Sequence, residues 1–377
     1  MNKPAIYFVA TVEFAVNAFL KQHLLLLSKT FNVTVVVNTS DPRFLKKQGI
    51  NVNVIPLDIK RNINIFRDLK ALFSLFYLFL KNRPVSVQSI TPKAGLLAMA
   101  AAYMARVPLK VHTFTGQVWV TKSGVFRYIL KKLDTMIVFL SDYAIVDGPL
   151  QSQFLVEEKV LPLKKSIVFG SGSVSGVDLD KFKPCKKVYV DVRRELLIPE
   201  DAFIFVYVGR LNAEKGVLDL ATAFSKIHND KSYLVVVGPD EGDYSQQIKN
   251  LSNMNLGRVR LIGFSSEPYR YLAASNTLCL PSYREGFSTV IIEAAAMGVP
   301  AIASNIYGIS DAVQNHKTGL LHPPKNSDQL LICMELFLSN PDLVAQYGAA
   351  AKKRAINEFD AKILTKYWLE FYLSHIH

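Results

Sequence analysis

Between Thr277 and Ser304 the sequence compresses a strand, a polar turn, a short helix, a Gly-x-Pro stop and a second strand into one span. The run Thr277-Leu278-Cys279-Leu280 is apolar and closed by Pro281, so it reads as a buried strand. A polar turn follows, and Ser288 to Met297 suits a helix. Gly298 supplies a left-handed cap and Pro300 cannot continue that helix. Val299 to Ala303 is then the next strand. A strand, a helix and a strand in this order belong to a parallel α/β sheet.

Two carboxylates occupy this frame: Glu285 in the turn and Glu293 inside the helix, with seven residues between them. A helix start leaves backbone N–H groups pointing outward, and such a place attracts phosphate or other anions. Flexible Gly286 and small Ser288 keep the approach open. Glu293 is followed by Ala294, Ala295 and Ala296, which leave room for a bulky group beside it. A carboxylate there can accept hydrogen bonds from vicinal hydroxyls, as on a ribose. An isolated pair of glutamates is more often a dipole-favoured first-turn acid and a solvated helix residue. The frame shifts that balance. In it the pair resembles the Glu-x7-Glu signature of the retaining family 4 glycosyltransferases. These have the GT-B fold: two Rossmann-like domains with parallel sheets facing a central cleft. The resemblance implies that Glu285 faces the donor sugar and Glu293 the ribose. It further implies that Gly286, Phe287, Ser288 and Thr289 form the turn around the nucleotide diphosphate.

A chain of 377 residues, 50% of them apolar, is long enough for two such domains. Its three cysteines, Cys185, Cys279 and Cys333, have no metal-like spacing and give no disulfide framework, which points to a reducing compartment. Ile6 to Ala10 is a short apolar run followed by Glu13, a first strand rather than a signal peptide. The net charge of +13 is uneven: residues 1–170 hold 22 Lys+Arg against 9 Asp+Glu, residues 171–377 hold 22 of each. A basic half invites an anionic membrane surface, an anionic substrate or nucleic acid. The basic residues are scattered among leucines and aromatics, without an RNA-binding aromatic signature or an Arg-rich run. That favours the membrane over nucleic acid, with a plain solvated surface as the bland alternative.

In the first half, Pro4 to Ala10, Val33 to Asn38, Val52 to Pro56, Val85 to Ile90 and Leu109 to Phe114 read as strands, with helical patterns between them. Phe14 to Ser28 is expected as one helix and Ile63 to Leu80 as a very apolar one. The uncharged run Ala71 to Leu80 is half of the roughly 20 residues a bilayer needs, so it is a core helix or lies on a membrane. Val125 to Leu140 is amphipathic, with Arg127, Lys131 and Lys132 on a basic rim. The dinucleotide fingerprint G-x-G-x-x-G is missing after the first strand, which counts against a nicotinamide or flavin enzyme. The segment His112-Thr113-Phe114-Thr115-Gly116-Gln117-Val118-Trp119 ends a strand at the edge where α/β domains place substrates. Many family 4 enzymes have a histidine directly before the glycine of this turn. Here Thr115 takes that position, and alternation puts His112 on the opposite face from it. Both are kept as site candidates, beside the reading of His112 as a hydrogen-bonded core residue.

Gly170 to Phe182 is a composition shift and a linker, similar to the Gly-Val-Asp…Phe connection of GT-B enzymes. Asp178-Leu179-Asp180 formally matches a metal-binding D-x-D, but no strand frames it, and no metal is expected to be required. Phe203 to Gly209 is a strand running into Arg210-Leu211-Asn212-Ala213-Glu214-Lys215-Gly216. Gly209 allows a close turn, and Arg210 and Lys215 are two cations suited to a diphosphate. In this order ahead of the glutamates they resemble the family's diphosphate clamp. Another strand ends at Pro239-Asp240-Glu241-Gly242, and the next at Gly263-Phe264, which by resemblance offer backbone groups to a base.

The expected organisation is an acceptor-binding domain over 1–172, a nucleotide-sugar domain over 173–360, and a final helix over 361–377 crossing back. Pro281 to Ser310 is close to bacterial surface-polysaccharide transferases that use UDP-sugars, often N-acetylhexosamines. The implied activity is metal-independent, cofactor-free hexosyl transfer from a UDP-sugar, with retention, to a lipid-linked saccharide. Glu285, Arg210 and Lys215 would carry the chemistry, and Glu13, Phe14, Asn17, His112, Thr115 and Gly116 would meet the acceptor. The enzyme would be cytoplasmic and peripheral on the inner face of the plasma membrane. A UDP-N-acetylhexosamine 2-epimerase of the same fold, or a basic binding module without activity, are the alternatives.

Overall fold

A computed structural model of the chain describes residues 3–59 and 64–376, side chains at 253, 254 and 256 apart. The chain forms two compact units, Met1–Ser175 with Ala361–His377, and Gly176–Asp360. The first unit therefore continues to Ser175, three residues past the expected bound of 172 and inside the expected linker.

The first unit runs β1 (Ala5–Ala10), α1 (Glu13–Phe19), α2 (Lys21–Thr30), β2 (Asn32–Val37), β3 (Asn53–Pro56), α3 (Ile65–Asn82), β4 (Ser86–Ile90), α4 (Pro92–Met104), β5 (Leu109–Phe114), α5 (Gly124–Leu140), β6 (Tyr143–Val146), α6 (Pro149–Glu157) and β7 (Ser166–Ile167). The second runs α7 (Lys186–Glu195), β8 (Phe203–Val208), α8 (Val217–Ser225), β9 (Ser232–Val237), α9 (Tyr244–Leu251), β10 (Val259–Gly263), α10 (Pro268–Ala273), β11 (Thr277–Leu280), α11 (Thr289–Ala296), β12 (Ala301–Ser304), α12 (Tyr307–Ser310), β13 (Gly319–His322), α13 (Ser327–Ser339) and α14 (Pro341–Glu358). The last helix, α15 (Ala361–His375), returns to the first unit.

Both sheets are parallel throughout, with orders β3-β2-β1-β4-β5-β6-β7 and β10-β9-β8-β11-β12-β13. In each, the chain winds outward from a central strand and then crosses to that strand's other side. The reversals fall between β1 and β4 and between β8 and β11, and at such a point the loops splay apart at the carboxyl edge and open a crevice for ligand.

Buried strands need near-continuous apolar runs, and β8, Phe-Ile-Phe-Val-Tyr-Val, supplies one. α15 earns its place in the first unit through aromatic burial. Trp368 is buried, stacks on His23 at 4.2 Å and lies over Phe8 at 6.3 Å. The Tyr372 hydroxyl donates to Gln88 Oε1. Burial pushes the His23 imidazole down to about 4, and its Nε2 lies 2.8 Å from the Val174 carbonyl.

Some elements differ from the sequence expectation. The helix expected over Phe14 to Ser28 is two helices that meet at buried Leu20 (φ −114°, ψ −17°), and nothing in the sequence there marks the break. The apolar helix begins at Ile65, where Asn64 accepts the Arg67 N–H at 3.1 Å and caps it. Ile63, its expected start, lies outside the described residues.

Candidate functional site: the carboxyl edge at the β8–β11 reversal

The turn after β8 and the turn after β11 are locked together by backbone. Gly216 sits at φ +62°, and a Cβ there would lie 2.1 Å from the Pro281 carbonyl oxygen. Beside it the Tyr283 N–H donates to the Glu214 carbonyl at 2.8 Å, and Arg284 Nη2 reaches Glu214 Oε2 at 2.5 Å. This close approach brings Lys215 to Glu285: Nζ and Oε1 are 2.5 Å apart, with the side chains 17% and 13% exposed.

Arg210 lies at the same edge. Its Nη1 donates to both oxygens of Glu241, at 2.9 and 3.1 Å, and Asn212 Nδ2 joins at 2.8 Å. The turn that presents Glu241 is held by Asp240, which accepts N–H groups of Gly242, Tyr244 and Ser245 at 3.1, 3.0 and 2.8 Å. Burial favours the protonated Asp240 carboxyl, but these three donors outweigh it and hold the group down at about 2. Beneath the site, buried Tyr207 donates to the Arg210 carbonyl at 2.8 Å. Its phenol is driven above the usual range, first by burial and then by the charge of Glu285.

Three glycines make the neighbouring edge flat. Gly209 N–H donates to Val237 O at 2.9 Å and Gly238 N–H to Gly263 O at 2.8 Å. A Cβ on Gly238 would stand 1.8 Å from the Gly209 carbonyl oxygen. Phe264, just past Gly263, is 77% exposed and free to lie against a flat ligand.

Glu293, on the second turn of α11, is half-buried and has no hydrogen-bond partner among the described residues. Burial raises its carboxyl to about 7, against a small opposing pull from Lys181. The folded chain therefore holds this proton to about pH 7, whereas the unfolded chain releases it near 4.5. Between those values the folded state binds more protons, so its stability falls as pH rises through the window. Glu293→Gln removes that loss. Its melting temperature relative to the parent is expected to climb between pH 4.5 and 7 and then level off, as scanning calorimetry across pH would show. A flat difference would mean that Glu293 titrates normally.

One expectation about the α11 turn changes. The Ser288 N–H, proposed as an anion donor, is taken by the Gly308 carbonyl at 3.0 Å. Gly308 comes that close because a Cβ on it would collide with the Glu285 and Gly286 carbonyl oxygens, each 2.5 Å away. The Phe287 ring is buried against Phe359 at 5.5 Å, so what it offers the turn is backbone. Thr289, half-buried, opens α11.

The sequence did not mark Glu241, Tyr207 or a row of buried polar atoms along the same edge. Asn212 Oδ1, Ser282 Oγ, Ser304 Oγ and His322 Nε2 are each buried without a partner among the described residues. They follow or end β8, β11, β12 and β13, and unpaired groups in such a row suit a polar ligand. A polar residue at the end of each of these strands, or within four residues after it, was the available signal.

In the first unit the matching edge holds Glu13, at the start of α1, which accepts the Thr39 hydroxyl. Phe14 is 72% exposed, and Asn17 Oδ1 accepts Gln48 Nε2 at 3.0 Å. Thr115 is half-buried and Gly116 takes φ +119° just after β5. His112 is elsewhere. It is buried under α4, Nδ1 is 2.8 Å from the Ser89 hydroxyl, and its ring fills the space that a side chain at Gly95 would need. Burial pushes it down to about 3, so it is a neutral core group. At the β1–β4 reversal the hydroxyls of Thr11 and Thr91 meet at 2.5 Å, and Thr91 holds φ +78°, a costly value for a β-branched residue.

Two doubly wound parallel units, the second carrying an acid–base pair at its reversal point, define a GT-B protein. A family model described as "Glycosyl transferases group 1" matches residues 190–354. The capsular polysaccharide biosynthesis glycosyltransferase CapM of Staphylococcus aureus is 30% identical over 97% of this chain and 95% of its own. An Escherichia coli UDP-Gal:alpha-D-GlcNAc-diphosphoundecaprenol alpha-1,3-galactosyltransferase is 30% identical over 80% of this chain and 79% of its own. Among solved structures, Anabaena HepE in complex with UDP and glucose superimposes with TM-score 0.82 at 18% identity, covering 98% of this chain and 100% of that one. The chain belongs to the group 1 glycosyltransferases.

Proposed function

We propose that this chain transfers a hexosyl unit, by preference an N-acetylhexosamine, from a UDP-sugar to a lipid-linked saccharide in surface-polysaccharide synthesis. The observation that carries the reading is the Lys215–Glu285 pair held at the β8–β11 reversal, with unpaired Glu293 on the helix behind it. CapM acts in capsule synthesis by its name, and the E. coli relative uses a UDP-sugar and a diphosphoundecaprenol acceptor by its own.

In this reading Glu293 accepts the ribose hydroxyls, which return to its carboxylate the hydrogen bonds that burial removes. Gly263 and Phe264 meet the base. The diphosphate lies over Gly209 and the Gly286–Thr289 turn, with Lys215 and Arg210 opposite its charge; Arg210 exchanges Glu241 for phosphate. The bond from the anomeric carbon to the β-phosphate oxygen breaks, and charge grows on UDP where these cations already stand. The acceptor oxygen attacks from the same face and its proton passes to the departing phosphate, so configuration is retained. Glu285 orients the sugar hydroxyls and faces the positive charge at the anomeric carbon. No metal or cofactor is needed for this balance of charge. The acceptor is held by Glu13, Phe14, Asn17, Thr115 and Gly116, with His112 supporting from the core. The enzyme works as a peripheral protein on the anionic cytoplasmic face of the plasma membrane, and nucleic acid is not a ligand.

Incubation with a panel of UDP-sugars, first for free UDP and then for a glycolipid, tests the reading. Conversion of a UDP-N-acetylhexosamine without acceptor would favour an epimerase instead. Lys215→Ala is expected to weaken UDP binding by about tenfold in calorimetry, the loss of one charge-assisted contact. An unchanged affinity would remove the clamp.

A further inference from the structure

The outward faces of α3 and α5 are apolar where a surface helix is ordinarily polar. α3 buries Ala71, Leu75 and Phe79 against the sheet, yet Phe66, Leu69, Phe73, Tyr77 and Leu80 recur at three- and four-residue spacing on the opposite face. Phe66 is 87% exposed, Tyr77 67% and Phe73 61%. α5 does the same: Val125, Tyr128, Ile129, Met136 and Phe139 form an exposed stripe, Phe139 at 71%. α4 lies between them, packed against both, so the two stripes belong to one side of one unit. An apolar surface spread over several helices marks an interaction face.

The charge around it selects the occupant. Residues 65–140 hold 11 Lys+Arg against 2 Asp+Glu. Neither acid is free to offset them: Asp68 is paired with Lys93 at 2.7 Å, and Asp134 is buried, accepting the Trp119 indole N–H at 2.8 Å. Lys70 and Lys81 flank the α3 stripe in solvent, and Lys132 lies over the Tyr128 ring at 5.4 Å. Arg127 and Lys131 on α5 are matched by Glu158, at 3.1 and 2.6 Å, which leaves Lys70, Lys81 and Lys132 as the cations of the rim. Aromatic and aliphatic side chains rimmed by such lysines match the boundary of an anionic bilayer. A second copy of the chain would set one positive face against another. No helix among the described residues is long and apolar enough to cross a membrane, so contact at the interface is what these helices can offer.

We propose that the α3–α5 face docks flat on an anionic bilayer, α3 and α5 sinking their aromatic stripes between headgroups while Lys70, Lys81 and Lys132 stay at phosphate depth. This rests on the reading that the acceptor is presented by a membrane, and it fixes which side of the first unit meets the lipid.

Co-sedimentation with vesicles of phosphatidylglycerol and phosphatidylcholine, without donor or acceptor, tests it apart from activity. The parent chain should bind these vesicles and leave phosphatidylcholine vesicles in solution. The triple variant Phe66→Ser, Phe73→Ser, Tyr77→Ser should lose binding by roughly tenfold or more, with UDP affinity and melting temperature unchanged. Lys70→Gln with Lys81→Gln and Lys132→Gln should abolish the preference for anionic lipid. Equal binding by parent and triple variant, or binding indifferent to lipid charge, would overturn the proposal. So would a parental dimer that the triple variant dissolves, since the stripe would then be a protein interface. Vesicle binding in a chain that consumes no UDP-sugar would support the docking face and count against the transferase reading alone.

Discussion

Glu285→Gln is expected to lower single-turnover transfer at saturating donor by about 10²–10³-fold, while UDP affinity stays within a few-fold of the parent. The amide has nearly the shape of the carboxylate, so packing at a position 13% exposed survives the change. What is lost is a full negative charge placed by backbone contacts between two turns. Lys215 Nζ, 2.5 Å away, loses the partner that aims it and keeps its own charge for the diphosphate. Ground-state nucleotide binding should therefore persist. The transition state suffers, because positive charge at the anomeric carbon then faces a neutral group. Rapid-quench transfer together with UDP calorimetry on one preparation separates these effects. A near-parental rate would remove Glu285 from the reaction, and an equal collapse of rate and affinity would make it a structural counter-ion of Lys215.

The frame around that pair was legible because each piece has a local cause. A short apolar run ending in proline, a helix with a Gly-Val-Pro stop and another apolar run specify β11, α11 and β12 within a few residues. Adjacency across the sheet was not legible. Arg210 meets Glu241 from 31 residues away, because β8 and β9 pair in register and their turns emerge side by side. The Ser288 N–H is lost to Gly308 for the same kind of reason, a backbone approach that only the second glycine permits. His112 shows the limit of strand alternation. The period separated it from Thr115, but which face α4 covers depended on Gly95 leaving room for the ring. In α3 the sequence showed an apolar helix without telling core from membrane, since both faces are apolar. Burial of Leu75 and exposure of Phe73 two residues earlier show which face packs on the sheet and which is left uncovered.

The proposed donor site depends most on a residue that carries no side chain. Gly216 is quoted easily as the end of an Arg…Lys-Gly motif, yet two separate demands fall on it. Its φ of +62° is costly for any residue with a Cβ, and that Cβ would stand 2.1 Å from the Pro281 carbonyl oxygen, an atom of backbone that cannot rotate away. Gly216→Ala must therefore push the β8 turn from the β11 turn, and the two turns carry Lys215 and Glu285. The expected result is a stability loss of about 2–4 kcal/mol in denaturant unfolding and, in the fraction that remains folded, transfer slower by about 10²-fold, as a displacement near 1 Å in a reacting site produces. Gly49→Ala separates the two demands. Gly49 has φ +80° with nothing within 4 Å of the added carbon, so it should lose about 1 kcal/mol and no activity. If Gly216→Ala loses no more than Gly49→Ala and transfers at the parental rate, the two turns do not need each other and the site has been drawn in the wrong place. If both losses appear together, the geometry of the pair is set by the backbone contact, and the ion pair follows from it.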